Sequence, residues 1–235
     1  MRKNFGAKPW TYPQPVFILA AYDENGTPNA MNAAWGGISE DKELSMCISE
    51  GHKTTANILA RKAFTVSMAT VEQMVACDYV GIESGNKVAD KVAKAGWHTT
   101  KSEFVDAPLI DELPMAVECR LVSYDPESCR LVGEIVNVSA DESVLNEDGK
   151  IDPDKLRPIT FDPIHNAYRV LGEKVGNAFQ DGAIQVGNVF GFIVYIENVL
   201  QKTRTGAKLL PLSFFTAEYI IFISINLNVC SRTFN

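Results

Sequence analysis

An antiparallel β-barrel with helical additions, a mainly β chain of the α+β kind, is the fold class that this 235-residue sequence predicts, and three observations carry the prediction. The apolar run Val16 to Tyr22 ends in Asp23-Glu24-Asn25-Gly26, and an Asn-Gly pair ahead of new extended sequence signals a tight hairpin. Pro114 to Tyr124 alternates, with Ala116, Glu118 and Arg120 against Val117, Cys119 and Leu121. Asp125-Pro126-Glu127 then turns it toward a partner strand, Cys129 to Ser139. Stretches of period 3.6 sit between such hairpins instead of alternating with every strand, which separates this pattern from a doubly wound sheet.

The first strand returns antiparallel as Thr27 to Trp35. Ile38 to Glu43 reads as a polar connection and Leu44 to Ser49 as a third strand. From Thr54 the period changes: Ile58, Leu59, Ala60 and Phe64 predict a short helix capped by Thr54 or Thr55, followed by strand Phe64 to Ala69. Thr70 with Gln73 resembles a capping box for a helix over Val71 to Val80, and Lys87 to Lys94 reads as helical until Gly96. Trp97 to Glu112 is mixed and is expected on the outside. Asp141 to Pro163 is expected as a surface segment with at most one short helix, and Tyr168 to Asp181 as a helix with Leu171, Val175 and Phe179 on one face.

Residues 183–235 differ in character. They carry four basic and two acidic residues in a chain of net charge −7, and their apolar runs 189–196 and 219–225 are too short to cross a bilayer. The domain organisation read from this is 1–182 as the barrel and 183–235 as an atypical C-terminal extension.

Composition narrows the function. A pI near 5.1 without clustered Lys and Arg excludes a nucleic-acid partner, while leaving room for a local site for one small anion. Five widely spread cysteines, with no C-x-x-C and no Cys/His ligand spacing, point to a reducing cytoplasm and to no metal site. Arg2, Lys3 and Lys8 precede an apolar run too short for a signal segment, and no membrane span is expected. The familiar catalytic motifs are missing and only three histidines occur, so no catalytic side chain is assigned; an enzyme of this kind borrows its chemistry from a cofactor.

Two stretches carry that possibility. In Gly51 to Asn57, His52 and Lys53 lead into a helix opening with two hydroxyls, which offers amides, hydroxyls and a cation to a phosphate; plain N-capping accounts for the same threonines. Trp35 lies among Ala33, Ala34, Gly36 and Gly37, small neighbours that let a flat ring approach the backbone. A core tryptophan beside a glycine bulge reads equally well. Cys119 and Cys129 are expected to face one another across a hairpin as small core residues.

Residues 8 to about 182 resemble the flavin reductase-like, FMN-binding split-barrel family, most closely its flavoredoxin branch. The residues carrying this are Lys8-Pro9-Trp10, Tyr12 and Pro15; Asn32 to Trp35; Ser49 with Lys53, Thr54, Thr55 and Asn57; and Asp90-Lys91. Gly133-Glu134-Ile135 and the closing Tyr168, Leu171, Gly172, Gly176 and Phe179 complete the set. The resemblance implies a six-stranded Greek-key split barrel, a homodimer, and FMN held without a covalent bond near the subunit interface. Carried over by residue, Asn32, Ala33, Ala34 and Trp35 border the isoalloxazine; Ser49, His52, Lys53, Thr54, Thr55 and Asn57 hold ribityl and phosphate; Lys91 adds a cation and Phe161 covers the ring. Ser128, Cys129 and Arg130 stand where relatives often place a histidine. The function expected is a cytoplasmic oxidoreductase passing electrons through FMN from NAD(P)H or a redox partner protein. The alternative is a non-enzymatic split-barrel binding module whose flavin site has decayed.

Overall fold

The computed structural model describes residues 1–182. The chain divides into two compact units, Met1–Glu173 and Lys174–Asn235; in the described part of the second, the Asp181 carboxylate accepts the Asn177 backbone amide at 2.8 Å.

The first unit begins with a two-residue strand, β1 (Gln14–Pro15), then β2 (Phe17–Tyr22) and β3 (Pro28–Ala33). The turn between the last two is closed by Asp23, whose Oδ1 accepts the amides of Asn25 and Thr27, each at 2.9 Å, while Gly26 takes the left-handed φ of +83° that Asn-Gly turns require. The chain continues through β4 (Gly36–Glu40), β5 (Glu43–Cys47), α1 (Lys53–Arg61), β6 (Ala63–Met68), α2 (Met74–Ile82), α3 (Lys91–Lys94) and the short pair β7 (Thr99–Lys101) and β8 (Pro108–Ile110). The long hairpin β9 (Met115–Asp125) and β10 (Arg130–Ala140) follows. A 3-10 turn, α4 (Pro153–Leu156), β11 (Ile159–Asp162) and β12 (Ala167–Val170) complete the described elements.

The main sheet has seven strands in the order β3-β2-β6-β9-β10-β5-β4, and its strand pairs are antiparallel. Its two edge strands, β3 and β4, are joined in sequence by only Ala34 and Trp35. The three steps from Ala33 to Gly36 reach at most about 11 Å, so the sheet must curl until its edges nearly meet. That curl encloses Leu19, Leu44, Met46, Phe64, Val66, Cys119 and Leu131 as one core. A second core, on the outer face of β2, packs Ile18, Ala20 and Ala30 against Cys77 and Val80 of α2 and against Trp97 and Ile110. Burial of β2 on both faces explains why its sequence is a continuous apolar run without alternation.

Several local expectations are corrected. Gly36–Glu40 is an edge strand, not a connection; Ile38 is 68% exposed, and a polar, solvated edge reads in sequence like a loop. α1 starts one residue earlier, at Lys53, with His52 in the N-cap position and no side-chain cap, because Thr54 and Thr55 are buried and bonded elsewhere. α2 starts at Met74; Thr70 Oγ1 accepts the Gln73 amide at 3.4 Å, so the box closes the turn before the helix. Only one turn, Lys91–Lys94, is helical in the 87–94 stretch. The 97–112 segment is not outside, since Trp97, Val105, Ala107 and Ile110 are all buried. Cys119 stands opposite Ile135, and Cys129 lies in the hairpin turn, so these two thiols do not face one another.

The 141–163 segment contributes β11, which pairs with β1 on one side and β12 on the other. The helix expected over 168–181 is absent; its first residues pair with β11, and Val175 and Phe179 are exposed, because sheet pairing outweighs a short apolar period. Expectations for 183–235 lie outside the described residues.

Candidate flavin site

Strand β3 runs the length of the candidate site, and α1 and α2 are tied to it at different heights. At its start, buried Asn29 donates from Nδ2 to Thr54 Oγ1 at 2.6 Å, tying the first turn of α1 to the sheet. Thr55 donates from Oγ1 to the Ser49 carbonyl at 2.8 Å, fixing the approach to the helix, and Asn57 reaches the Ala21 carbonyl at 3.4 Å. Both threonines are buried and serve as fasteners of the turn. The groups left facing outward are the amides at the uncapped helix start, the exposed His52 and Ser49, and the half-buried Lys53.

Lys53 lines a pocket of about 210 Å³ with Asp23, Asn29, Gly85 and Asn86. Sequence reading missed Gly85 and Asn86, which stand in no recognisable motif. Asn86 donates from Nδ2 to the Gly51 carbonyl at 3.0 Å and so holds the 84–89 loop against the turn. A Cβ on Gly85 would fall well inside van der Waals contact with Asn29 Oδ1 and lie 3.1 Å from Lys53 Cβ, so the cradle exists only because this residue is glycine. The Asp23 carboxyl in the wall is held below the usual carboxylate range, first by the Thr27 amide, and is therefore ionised but occupied by its own turn.

Midway along the strand, Asn32 donates from Nδ2 to the Cys77 carbonyl at 3.2 Å, and Gly81 lets α2 approach so closely that a Cβ there would sit 2.9 Å from Asn32 Cβ. Ala33 points into the inner core. Lys91 is 2% exposed, and its Nζ donates to the carbonyls of Val80 and Glu83 at 3.0 and 2.9 Å. Burial brings its pKa down to about 8, with Glu83 opposing. It is thus first a cation closing the C-terminal end of α2, where unpaired carbonyls and the negative end of the helix dipole favour it, with one of its three N–H groups left over.

At the far end of β3, Ala34 and Trp35 border a concavity of about 450 Å³ whose other wall is the N-terminal segment with Lys8, Trp10 and Gln14. Trp35 is 55% exposed and Trp10 38%. Phe161 pairs with Gln14 across β1 and β11 and packs on Tyr168, ring centroids 6.2 Å apart. The N-terminal wall is pinned by Asp162, a buried carboxylate that accepts from Tyr12 Oη, from His165 Nδ1 and Arg169 Nε, both at 2.9 Å, and from the amides of Ile164 and His165. These donors, the Tyr12 hydroxyl foremost, hold its pKa far below the ordinary carboxylate range.

Residues 10–160 match the flavin reductase like domain. The chain belongs to the flavin reductase-like family. Among solved structures, this flavin reductase-like chain is 36% identical to the flavoredoxin of Desulfovibrio vulgaris (Miyazaki F), with a TM-score of 0.74 over 77% of this chain and 100% of that one. It is 26% identical to the flavoredoxin from Methanosarcina acetivorans, with a TM-score of 0.70 over 77% and 97% of the two chains. An FMN-binding protein from Thermus thermophilus shares the fold at 21% identity, TM-score 0.62, over 75% and 99%. The split-barrel architecture and its mostly antiparallel sheet are those of this flavin-binding family. Among the described residues no helix is long and apolar enough to cross a membrane, and no cluster of three metal-ligating side chains occurs.

Proposed function

We propose that the protein is a cytoplasmic FMN-dependent oxidoreductase, working as a homodimer, that accepts electrons from NAD(P)H or a redox protein and passes them on through a non-covalently held flavin. The observation that carries the choice of a mononucleotide is the cradle at the start of α1: a nine-residue helix with no side-chain cap, no acidic residue in its first turn, Lys53 at its mouth and Gly85 as its floor. Uncapped amides and a lysine at the positive end of a helix suit a phosphate dianion. Asn29 supports the same reading. Its Oδ1 is buried without a partner; turning the amide over lets the Thr54 hydroxyl donate to that oxygen and directs Nδ2 as a further donor toward the cradle side.

From Asn29 to Ala34 the strand rises roughly 16 Å, the scale of an extended mononucleotide, so one ligand lying along β3 reaches both the cradle and the concavity. When bound, FMN supplies the two-electron and one-electron chemistry. The chain's part is to grip the phosphate with the α1 amides and Lys53, to offer Asn32 and the Ala34-Trp35 backbone beside the ring, and to leave the Trp10 and Trp35 concavity open for a second reactant.

Titration with FMN tests this directly. Quenching of Trp35 fluorescence and co-elution of a yellow colour on gel filtration are expected. A protein that stays colourless at micromolar FMN fits the non-enzymatic binding module instead. Loss of the flavin absorbance on anaerobic addition of NADH or NADPH distinguishes a reductase from a carrier fed by a protein partner.

A further inference from the structure

We infer that Cys47 and Cys129 form a reversible redox pair, a dithiol that closes to a disulfide across the end of the β5–β10 ladder. In the register Cys47 stands opposite Arg130, and the ladder extends one step further because the Ile48 amide donates to the Cys129 carbonyl at 2.9 Å. Cys47 and Cys129 are therefore diagonal neighbours. An opposite-pair spacing near 5 Å, offset by one residue along the strand, puts their Cα atoms roughly 6 Å apart, inside the span a disulfide bridges.

Both sulfurs lie against the backbone of the 126–129 turn. Cys47 Sγ lies 3.7 Å from the Ser128 carbonyl oxygen, the peptide that leads directly into Cys129. Cys129 Sγ lies 3.8 Å from the Pro126 carbonyl in the same turn. Cys129 also holds a φ of +58°, a left-handed conformation uncommon for a residue other than glycine, asparagine or aspartate, and this departure from strand geometry frees its side chain from strict alternation. The Tyr124 phenol, raised first by burial and next by Cys129, sits beside the turn with its hydroxyl on the Ile48 carbonyl at 3.0 Å.

Exposure separates this pair from the other thiols of the barrel. Cys47 is exposed and Cys129 half-buried, whereas Cys77 and Cys119 are fully buried and burial pushes each up to about 12, leaving them inert. The chemistry needs an oxidant, here a small-molecule disulfide such as oxidised glutathione. The Cys47 thiolate attacks one of its sulfurs and expels one small thiolate, leaving a mixed disulfide. Cys129 then loses its proton, attacks Cys47 Sγ and expels the second small thiol, so two electrons pass from the pair to the small disulfide. Position gives the bond a consequence: the Cys47 amide donates to the Trp35 carbonyl at 2.8 Å, and Ser49 is two residues on, so closure tethers the strand that backs the ring end to the 126–129 turn.

Oxidise the full chain with oxidised glutathione, block free thiols and map tryptic peptides. The expected product joins peptides 43–53 and 121–130 at two mass units below their sum, with loss of two titratable thiols, and dithiothreitol restores both. Cys47→Ser and Cys129→Ser should each abolish that peptide and leave a stable mixed disulfide on the remaining thiol. Mixed disulfides without a 43–53/121–130 link in the unsubstituted chain, or links of either peptide to Cys230 instead, overturn the inference. The mapping needs no flavin, so it stands or falls separately from FMN binding.

Discussion

The two ends of β3 are built on opposite plans. At the Asn29 end three side chains are buried and bonded, Asn29 to Thr54 and Thr55 to the Ser49 carbonyl, and an exposed Asn86 ties a third part of the chain to Gly51. At the Trp35 end that indole stands half in solvent, facing an N-terminal segment that carries the partly exposed Trp10 and is held through Tyr12 by Asp162. Preorganisation at one end and accessibility at the other is the arrangement the proposed flavin binding calls for: affinity generated where nothing reacts, and a reacting face left uncovered. The contrast also explains why Lys91 belongs to neither plan. Its ammonium is committed to the end of α2, and it supports the middle of the site through that helix.

The buried end is the more vulnerable of the two. Replacing Thr54 and Thr55 together by valine removes two hydrogen bonds and leaves the Asn29 amide and the Ser49 carbonyl without them. The expected cost is about 2–4 kcal/mol of stability in urea unfolding, with FMN affinity falling in parallel. An unchanged midpoint would mean the turn is not over-determined. Gly85→Ala should cost about 1–3 kcal/mol through forced displacement of Asn29 or Lys53, read mainly as weaker FMN binding in isothermal titration.

Lys91→Met sharpens the middle case. Losing a charged cap of two carbonyls should cost about 1–2 kcal/mol of stability while FMN affinity moves less; the reverse ranking would make Lys91 a direct phosphate ligand. Its pH signature has a definite sign. The folded pKa near 8 lies below the unfolded value of 10.5, so the unfolded chain binds more protons between them, and stability gains from this group as pH rises through that window. The gain should vanish in Lys91→Met. At the open end, Trp35→Ala should change stability by no more than about 0.5 kcal/mol yet remove most of the flavin-dependent fluorescence quenching.

The sequence showed the strands wherever burial and period agreed, as in β2, β3, β5, β6 and the β9–β10 hairpin, with turn chemistry beside the two hairpins. It hid β4, because a solvated edge carries no apolar alternation, and it turned β12 into a helix on the spacing of Leu171, Val175 and Phe179, residues that bury little. In the site, the helix start was visible as a cluster of hydroxyls and cations. The inward role of Thr54 and Thr55 was not, since whether a threonine caps or fastens depends on Asn29, 25 residues away. Gly85 and Asn86 had no local signal at all; their meaning arises only where a loop meets a distant strand.

The two-residue join between the sheet's edges has a consequence for the order of assembly. β3 and β4 are neighbours in the chain but are separated in the sheet by β2, β6, β9, β10 and β5. The sheet therefore cannot close on itself until residues 115–140 have been made and inserted between β6 and β5. A chain emerging from the ribosome makes β2, β3 and α1 first and must extend through Ala140 before the sheet can close, a non-local arrangement of the kind that folds slowly. Closure of the barrel is then a late event in biosynthesis, reached only by chains whose central hairpin is in place.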